Sequence, residues 1–218
     1  MKGLMIKDLR ILLAQKFSLL IYLGVSLFML LSGMDVSFCI GYATMLMTIL
    51  MIGTISYDEH ENGMSFLMTL PVSRKDYVLS KYCFTVIGVC LIDCAMLLTL
   101  AVYEKIQPSG LMFLDYVTIV LIMLAVAMLM ISLLLPFNFK FGVEKSRFVL
   151  VAIAGVVGVV TVLASRYSEE MPYGIRRLLE KISLITPEIT ALIFAVICLL
   201  AMILSVLISI RIIEKKDY

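Results

Sequence analysis

The sequence predicts an all-α polytopic membrane protein that crosses the bilayer six times. Of its 218 residues, 62% are hydrophobic and only 16% are charged, and the mean hydropathy is +1.10. The apolar residues come in long blocks, and blocks of about 18 or more residues indicate membrane-spanning helices. Because little of the chain is left for a soluble domain, we expect a single six-span domain over residues 1–218.

Six apolar runs define the predicted spans. They lie at residues 17–34, 36–57, 78–102, 113–135, 148–164 and 188–210. The first two are so close in sequence that they predict a tight hairpin. The fifth is the shortest, and its Ala152, Ala154, Gly155 and Gly158 favour close helix packing. We predict no signal peptide, because the first apolar run is long and lacks a clear small-x-small cleavage site.

The basic residues are distributed unequally between the two sides of the predicted membrane domain. With the N-terminus in the cytoplasm, 13 of the 18 Lys and Arg residues fall on cytoplasmic segments and 5 on outer segments. Cytoplasmic segments of membrane proteins carry an excess of Lys and Arg. The sequence therefore predicts that both termini lie in the cytoplasm.

Three polar segments outside the spans have predictable roles. Residues 4–16 predict an amphipathic helix along the inner membrane surface. Its apolar face is formed by Leu4, Met5, Leu9, Leu12 and Leu13, and its polar face by Lys7, Asp8, Arg10 and Lys16. Residues 136–147 predict a second cytoplasmic loop, and residues 165–187 an external loop that contains a helix.

A fourth polar segment, residues 58–76, separates the second and third spans. Asp58, Glu59 and Glu61 lie at the head of a short helical pattern, where negative charge offsets the helix dipole. The apolar face of that helix is formed by Met64, Leu67 and Met68. Pro71 ends the helix, and Ser73 is the expected N-cap of the next one. A short helix and a sharp turn suit docking on another protein. The residues alone fit an ordinary interhelical loop on lipid head groups equally well.

The string ENGMSFLMTLPVSRKDYVLSKY resembles the corresponding loop in membrane subunits of type-2 ABC exporters. In that family an acidic-glycine element precedes an LPVSR turn and a basic start of the next span. The matching positions are Glu61, Gly63, Leu70, Pro71, Val72, Ser73, Arg74 and Lys75. The segment PFNFKFGVEKSR is similar to the second cytoplasmic loop of a short bacterial branch of the family. With the six-span plan, the resemblance covers the whole chain.

The resemblance implies that residues 58–76 hold a coupling helix that seats in a cleft of a cytoplasmic ATPase subunit. The implied coupling residues are Glu59, Glu61, Gly63, Met64, Phe66, Leu67, Met68, Pro71, Ser73, Arg74 and Lys75. A second cytoplasmic contact falls on Lys140, Gly142, Glu144, Lys145 and Arg147. The implied partners are two ABC ATPase subunits and a second membrane subunit, identical or related, in a bacterial cell membrane.

The chain itself is not expected to be an enzyme. It contains no G-x-x-x-x-G-K-[ST] motif, so ATP and magnesium would be bound by the partner ATPase and no cofactor by this chain. Its partners are the lipid bilayer and proteins, with no nucleic acid. Few charges interrupt the apolar spans, which suits an amphipathic or lipophilic cargo. Among a peptide, a drug-like compound and a lipid-like molecule, we favour peptide export.

Asp93 is the one acidic residue well inside a predicted span. A charge there costs about 2.5–3.5 kcal/mol on insertion scales. It is interpreted either as a group that lines a transport pathway or as a hydrogen-bonded carboxyl at a helix interface. Cys90 and Cys94 share its helix face, but with His60 as the only histidine no metal site is predicted.

Three other functions compete with the exporter. A stand-alone secondary carrier or channel would use Asp93, although such proteins usually carry several intramembrane ionisable groups. An intramembrane enzyme is disfavoured because no catalytic motif occurs. A membrane sensor or anchor without transport activity stays open.

Overall fold

A computed structural model describes residues 2–59, 63–69, 73–106, 113–166 and 187–216, and the regular structure in these ranges is entirely helical. The helices are α1 (Lys2–Ala14), α2 (Lys16–Leu31), α3 (Val36–Glu59), α4 (Gly63–Thr69), α5 (Arg74–Ile106), α6 (Phe113–Phe141), α7 (Val143–Arg166) and α8 (Pro187–Glu214). The predicted all-α class is confirmed. The external loop falls almost wholly outside the described residues.

Four of the described helices, α3, α5, α6 and α8, are long and apolar enough to cross a membrane. A fifth candidate is α1 together with α2, which meet at an angle of 69°. This bend fits a surface helix that leads into a first span. Helix α7 lies where the fifth span was predicted but is not among these candidates, so the count of six spans stays a prediction.

The structure corrects the predicted loop at residues 136–147, which is almost entirely helical. Helix α6 continues to Phe141 and α7 begins at Val143, so only Gly142 between them is non-helical. The predicted fourth span ends at residue 135, directly before Pro136. Proline lacks the N–H that would bond to the carbonyl of Ser132. Here the Ser205 hydroxyl on α8 donates to that carbonyl over 2.5 Å. Neighbouring helices can satisfy carbonyls freed by proline in this way.

A second correction concerns the end of α3. Asp58 and Glu59 belong to its last turn and not to the head of α4, which begins at Gly63. Negative charge at a helix C-terminus is unfavourable for the helix dipole. For Asp58, two lysine side chains offset this effect, as described below.

Helices α6 and α8 run parallel and form an extensive contact. The Ser205 hydroxyl donates to Ser132 O, and the Cys198 thiol lies 3.7 Å from Ala125 O. The sequence separation is 73 residues in both pairs, so the helices keep one register over two turns. Tyr82 of α5 joins this contact, because its hydroxyl lies 2.5 Å from Ser205 Oγ.

Helix α7 packs chiefly on α6 and leaves much of its surface uncovered. Val151, Val156 and Val159 are more than half exposed. A side chain added at Gly155 or Gly158 would meet nothing within 4 Å. Gly155 and Gly158 therefore make no close helix contact within the described part of the chain.

Replacing Ser205 with alanine is expected to lower the free energy of unfolding by about 1–3 kcal/mol, since it leaves the buried Ser132 carbonyl without a donor. Adding Pro136→Ala should recover most of this loss, because alanine returns the missing N–H. The midpoint of thermal unfolding in detergent measures both effects.

Ser26→Ala is the matched control for Ser205→Ala. Ser26 is equally buried, but its hydroxyl donates only to Tyr22 O of its own helix, a carbonyl that also accepts from the backbone. An equal loss in both serine variants, or no recovery by Pro136→Ala, would contradict the assigned hydrogen bond.

Candidate functional site

Four charged side chains meet at the end of the helix bundle next to α4. Lys81 Nζ of α5 lies 2.7 Å from Asp8 Oδ1 of α1 and 2.7 Å from Asp58 Oδ2 of α3. Lys7 Nζ lies 2.5 Å from Asp58 Oδ1 and 3.4 Å from Asp8 Oδ1. We call Lys7, Asp8, Asp58 and Lys81 the ion cluster. Its two ammonium groups and two carboxylates balance in charge.

The ion cluster is largely removed from solvent. The side chains of Asp8, Lys81 and Asp58 are 0%, 2% and 3% exposed, and that of Lys7 is 30% exposed. Desolvating an ion costs several kcal/mol, and the cost is recovered only when opposite charges and hydrogen bonds surround it closely. The arrangement therefore fixes where α1 lies on α3 and α5, and loss of one member leaves an unbalanced buried charge.

Neutral groups also donate to and accept from members of the ion cluster. The Tyr77 hydroxyl donates to Asp58 Oδ2 over 3.0 Å, and Lys81 donates to Thr54 Oγ1 over 3.3 Å. The Lys81 ammonium also lies 5.7 Å from the centroid of the Tyr77 ring, a favourable cation–π distance. Among the described residues, Asp8 Oδ2 has no hydrogen-bond partner.

Helix α4 is seated directly on this end of the bundle. A Cβ atom at Gly63 would lie 2.9 Å from the carbonyl oxygen of Asp58, so any other residue there would require the backbone to shift. Met64 is 6% exposed and belongs to the same apolar core as Tyr77 and Phe139, with Leu67 packed against it. Displacement of α4 would therefore disturb both the last turn of α3 and the residues that hold the ion cluster.

The second predicted cytoplasmic contact adjoins the first. Gly142 joins α6 to α7 with φ +81°, and a Cβ atom there would lie 3.2 Å from Glu59 Oε2. This left-handed conformation favours glycine. The side chains of Lys140 and Lys145, on either side of this corner, are exposed. The two predicted segments thus meet at the end of α3.

The start of α5 is tied to the end of α8. The Arg74 guanidinium donates to Ile213 O over 3.1 Å and to Glu214 O over 2.7 Å, carbonyls that have no partner within the helix. Lys75 Nζ lies 3.6 Å from Glu214 Oε1 in an exposed ion pair. Lys216 extends the connection by donating to Phe139 O of α6 over 3.2 Å. Helices α5, α6 and α8 are therefore joined near α4.

Ser73 caps α5 as predicted. The Asp76 N–H donates to Ser73 Oγ over 3.0 Å, and the Ser73 hydroxyl donates to Asp76 Oδ2 over 2.7 Å. Of the other predicted site residues, Glu61 and Pro71 lie outside the described residues. Four more lie within helices, but their side chains are not among those described: Phe66, Met68, Glu144 and Arg147.

Asp93 lies at a contact between α5 and α3. It is 2% exposed, and the Thr44 hydroxyl donates to its Oδ1 over 2.6 Å. Its Oδ2 has no partner among the described residues. No three His, Cys, Asp or Glu side chains in the described ranges are grouped as metal ligands. The position of Asp93 matches a hydrogen-bonded carboxyl at a helix interface, whereas its role in transport stays untested.

A comparison with protein-family models decides the identity. Residues 3–214 match the model described as ABC-2 family transporter protein. The chain belongs to the ABC-2 transporter family. No curated protein and no solved structure is similar enough to count as a match. Family membership makes this chain a membrane-spanning subunit of an ABC transporter, which confirms the resemblance found in the sequence.

Sequence reasoning missed the ion cluster of this ABC-2 subunit. It placed Asp8 on the polar face of α1 and Leu9 and Leu13 on the apolar face, whereas Asp8 is fully buried and these leucines are 46% and 56% exposed. The buried side of α1 is instead Leu4, Asp8 and Leu12. Their strict spacing of four residues was the available signal, because an acid between two leucines at that spacing falls on the buried face of the helix, where its charge needs a partner.

Proposed function

We propose that this ABC-2 subunit exports an amphipathic or lipophilic cargo, a peptide in the first instance, driven by two separate ATPase subunits that dock on α4. The observation that carries the proposal is the position of α4, whose first residue, Gly63, lies in close backbone contact with the last turn of α3. A short helix held this way can transmit a displacement to the membrane-spanning helices. Nucleotide and magnesium would be bound by the ATPase partner.

The contacts around α4 support a path by which its displacement reaches the other helices. Closure of the ATPase subunits displaces α4, and the displacement acts on α3 through Asp58 and on the core through Met64. The ion cluster connects α3 to α1 and α5. Arg74 connects α5 to the end of α8. Rigid helices joined by such contacts move as bodies about their interfaces.

The proposed unit contains a second membrane subunit, identical or related to this chain. The uncovered surface of α7, with Gly155 and Gly158 open and several valines exposed, supports this part of the proposal. Small residues allow two helices in a membrane to approach closely. The unit lies in a bacterial cell membrane. Both termini lie in the cytoplasm, as the Lys and Arg distribution predicts.

Gentle co-purification from native membranes tests the proposal. We expect a stoichiometric partner whose sequence contains G-x-x-x-x-G-K-[ST], identified by mass spectrometry, because the chain needs an external source of ATP hydrolysis. Recovery of this chain alone in several detergents, at native expression, would contradict the proposal. That result would favour the stand-alone carrier with Asp93 at its centre.

A further inference from the structure

An apolar groove runs between α6 and α8 on the outer surface of the bundle. Its volume is about 550 Å³. Leu133 and Phe137 contribute to the α6 wall, and Leu204, Ile208 and Ile212 to the α8 wall. Leu204 and Ile208 are 58% and 50% exposed, so the groove is open along its side. An open apolar groove on a membrane helix pair faces hydrocarbon chains.

The length of this α6/α8 groove corresponds to one leaflet of a bilayer. Its α8 wall extends from Ala201 to Ile212, about 16 Å at the rise of roughly 1.5 Å per helical residue. The hydrocarbon core of a bilayer is about 30 Å thick. A groove of this length that begins at the α4 end of the bundle would reach about the middle of the membrane.

The polar groups in the wall of the α6/α8 groove are already hydrogen-bonded within the protein. The Ser205 hydroxyl donates to Ser132 O, and the Ser132 hydroxyl donates to Leu129 O over 2.8 Å. A polar ligand would therefore find few free partners along the wall. The wall suits a hydrocarbon chain better than a peptide backbone, whose N–H and C=O groups each need a partner.

A cation lies at one end of the α6/α8 groove. Lys140 lies at the α4 end, with its ammonium 5.0 Å from the Phe141 ring centroid. Among the side chains that the structure describes, it is paired with no carboxylate. A lysine at head-group level attracts anionic lipid. We propose that the groove holds an acyl chain of one anionic phospholipid of the inner leaflet, whose phosphate is bound by Lys140.

The assignment to the inner leaflet rests on the proposed orientation, whereas the lipid site itself does not need an ATPase partner. The test uses the purified chain in nanodiscs of phosphatidylcholine. These nanodiscs carry a trace of phosphatidylglycerol with a photoactivatable group on one acyl chain, or of the matching phosphatidylcholine probe. Peptide mapping by mass spectrometry locates the label. We expect the anionic probe to label α6 and α8 about fivefold more than the zwitterionic probe.

Two pairs of variants separate the groove from general lipid contact. Lys140→Gln should abolish the preference for the anionic probe, whereas Lys16→Gln should keep it, since Lys16 also lies beside a phenylalanine ring but outside the groove. Ala201→Phe should obstruct the end of the groove away from α4, where the labelled acyl chain would lie, and reduce labelling by both probes about fivefold or more. Ala152→Phe, on the exposed surface of α7, should leave this labelling unchanged.

Three results would overturn the lipid site. The first is labelling spread evenly over all lipid-facing helices, and the second is an equal effect of the two lysine variants. The third is selective loss of groove labelling when an amphipathic peptide is added, because the groove would then bind cargo. Both lipid probes are present in both leaflets, so a reversed orientation or a missing ATPase leaves the measurement interpretable.

Discussion

Replacing Lys81 with methionine is expected to lower the free energy of unfolding by about 3–5 kcal/mol, the usual cost of breaking a buried ion pair from one side. Methionine keeps much of the length and apolar stem of lysine but removes its ammonium group. Asp8 and Asp58 then lose the cation that lies 2.7 Å from each of them. Lys7, which is partly exposed, is left as the only cation within the ion cluster. The midpoint of thermal unfolding in detergent, read by size-exclusion chromatography, measures the loss.

Lys75→Met is the matched control for the Lys81 change. Lys75 lies near the start of the same helix, but its side chain is 66% exposed and its partner Glu214 is 3.6 Å away. Exposed pairs of this kind contribute about 0–1 kcal/mol. If the two variants lose the same stability, burial does not set the strength of the ion cluster and the argument from desolvation is wrong.

A double variant tests whether the ion cluster acts as a unit. Asp8→Leu combined with Lys81→Met removes one cation and one carboxylate together. The pair between Lys7 and Asp58, 2.5 Å apart, remains. Because charge balance is restored, the double variant should be more stable than the sum of the single losses predicts, by at least about 1 kcal/mol. Strict additivity would show that Asp8 and Lys81 are not coupled.

The helices of this protein could be predicted well because the bilayer imposes a simple rule on the sequence. A spanning helix must be apolar for its whole length, so each predicted span coincides with an observed helix to within a few residues at most ends. The errors occurred where contacts between helices override the structural preference of the local sequence. Pro136 does not end α6, because the Ser205 hydroxyl satisfies the carbonyl that proline frees.

The candidate site was predictable only in part, for a different physical reason. The segment of α4, the cap at Ser73 and the glycine at position 63 are local patterns and can be recognised from a short stretch of residues. The ion cluster joins residues that are up to 74 positions apart, since it includes both Lys7 and Lys81. The periodicity of a single helix cannot predict ion pairs between residues so far apart in sequence. The one local signal is the position of Asp8 between Leu4 and Leu12, which places its charge on the buried face of α1, where it needs a partner.

Replacing Gly63 with alanine is expected to uncouple ATP hydrolysis from transport. The added Cβ atom would lie 2.9 Å from the Asp58 carbonyl oxygen, and a backbone atom cannot move aside as a flexible side chain can. Helix α4 must therefore shift on its seat. Because a displacement of about 1 Å in a positioning element can cost 10²-fold in rate, we expect cargo-linked ATPase activity of the reconstituted complex to fall at least about tenfold.

Gly53→Ala separates a shift of α4 from a general effect of alanine in these helices. Gly53 lies in α3, and a Cβ atom there would meet nothing within 4 Å, so ATPase activity should stay within about twofold of the wild type. Co-purification of the ATPase subunits with Gly63→Ala would show that docking survives and that transmission is lost. Cargo-linked activity within twofold of wild type for Gly63→Ala would instead exclude the seat of α4 as the coupling element. The ATPase would then have to act through another surface near it, such as the Gly142 corner.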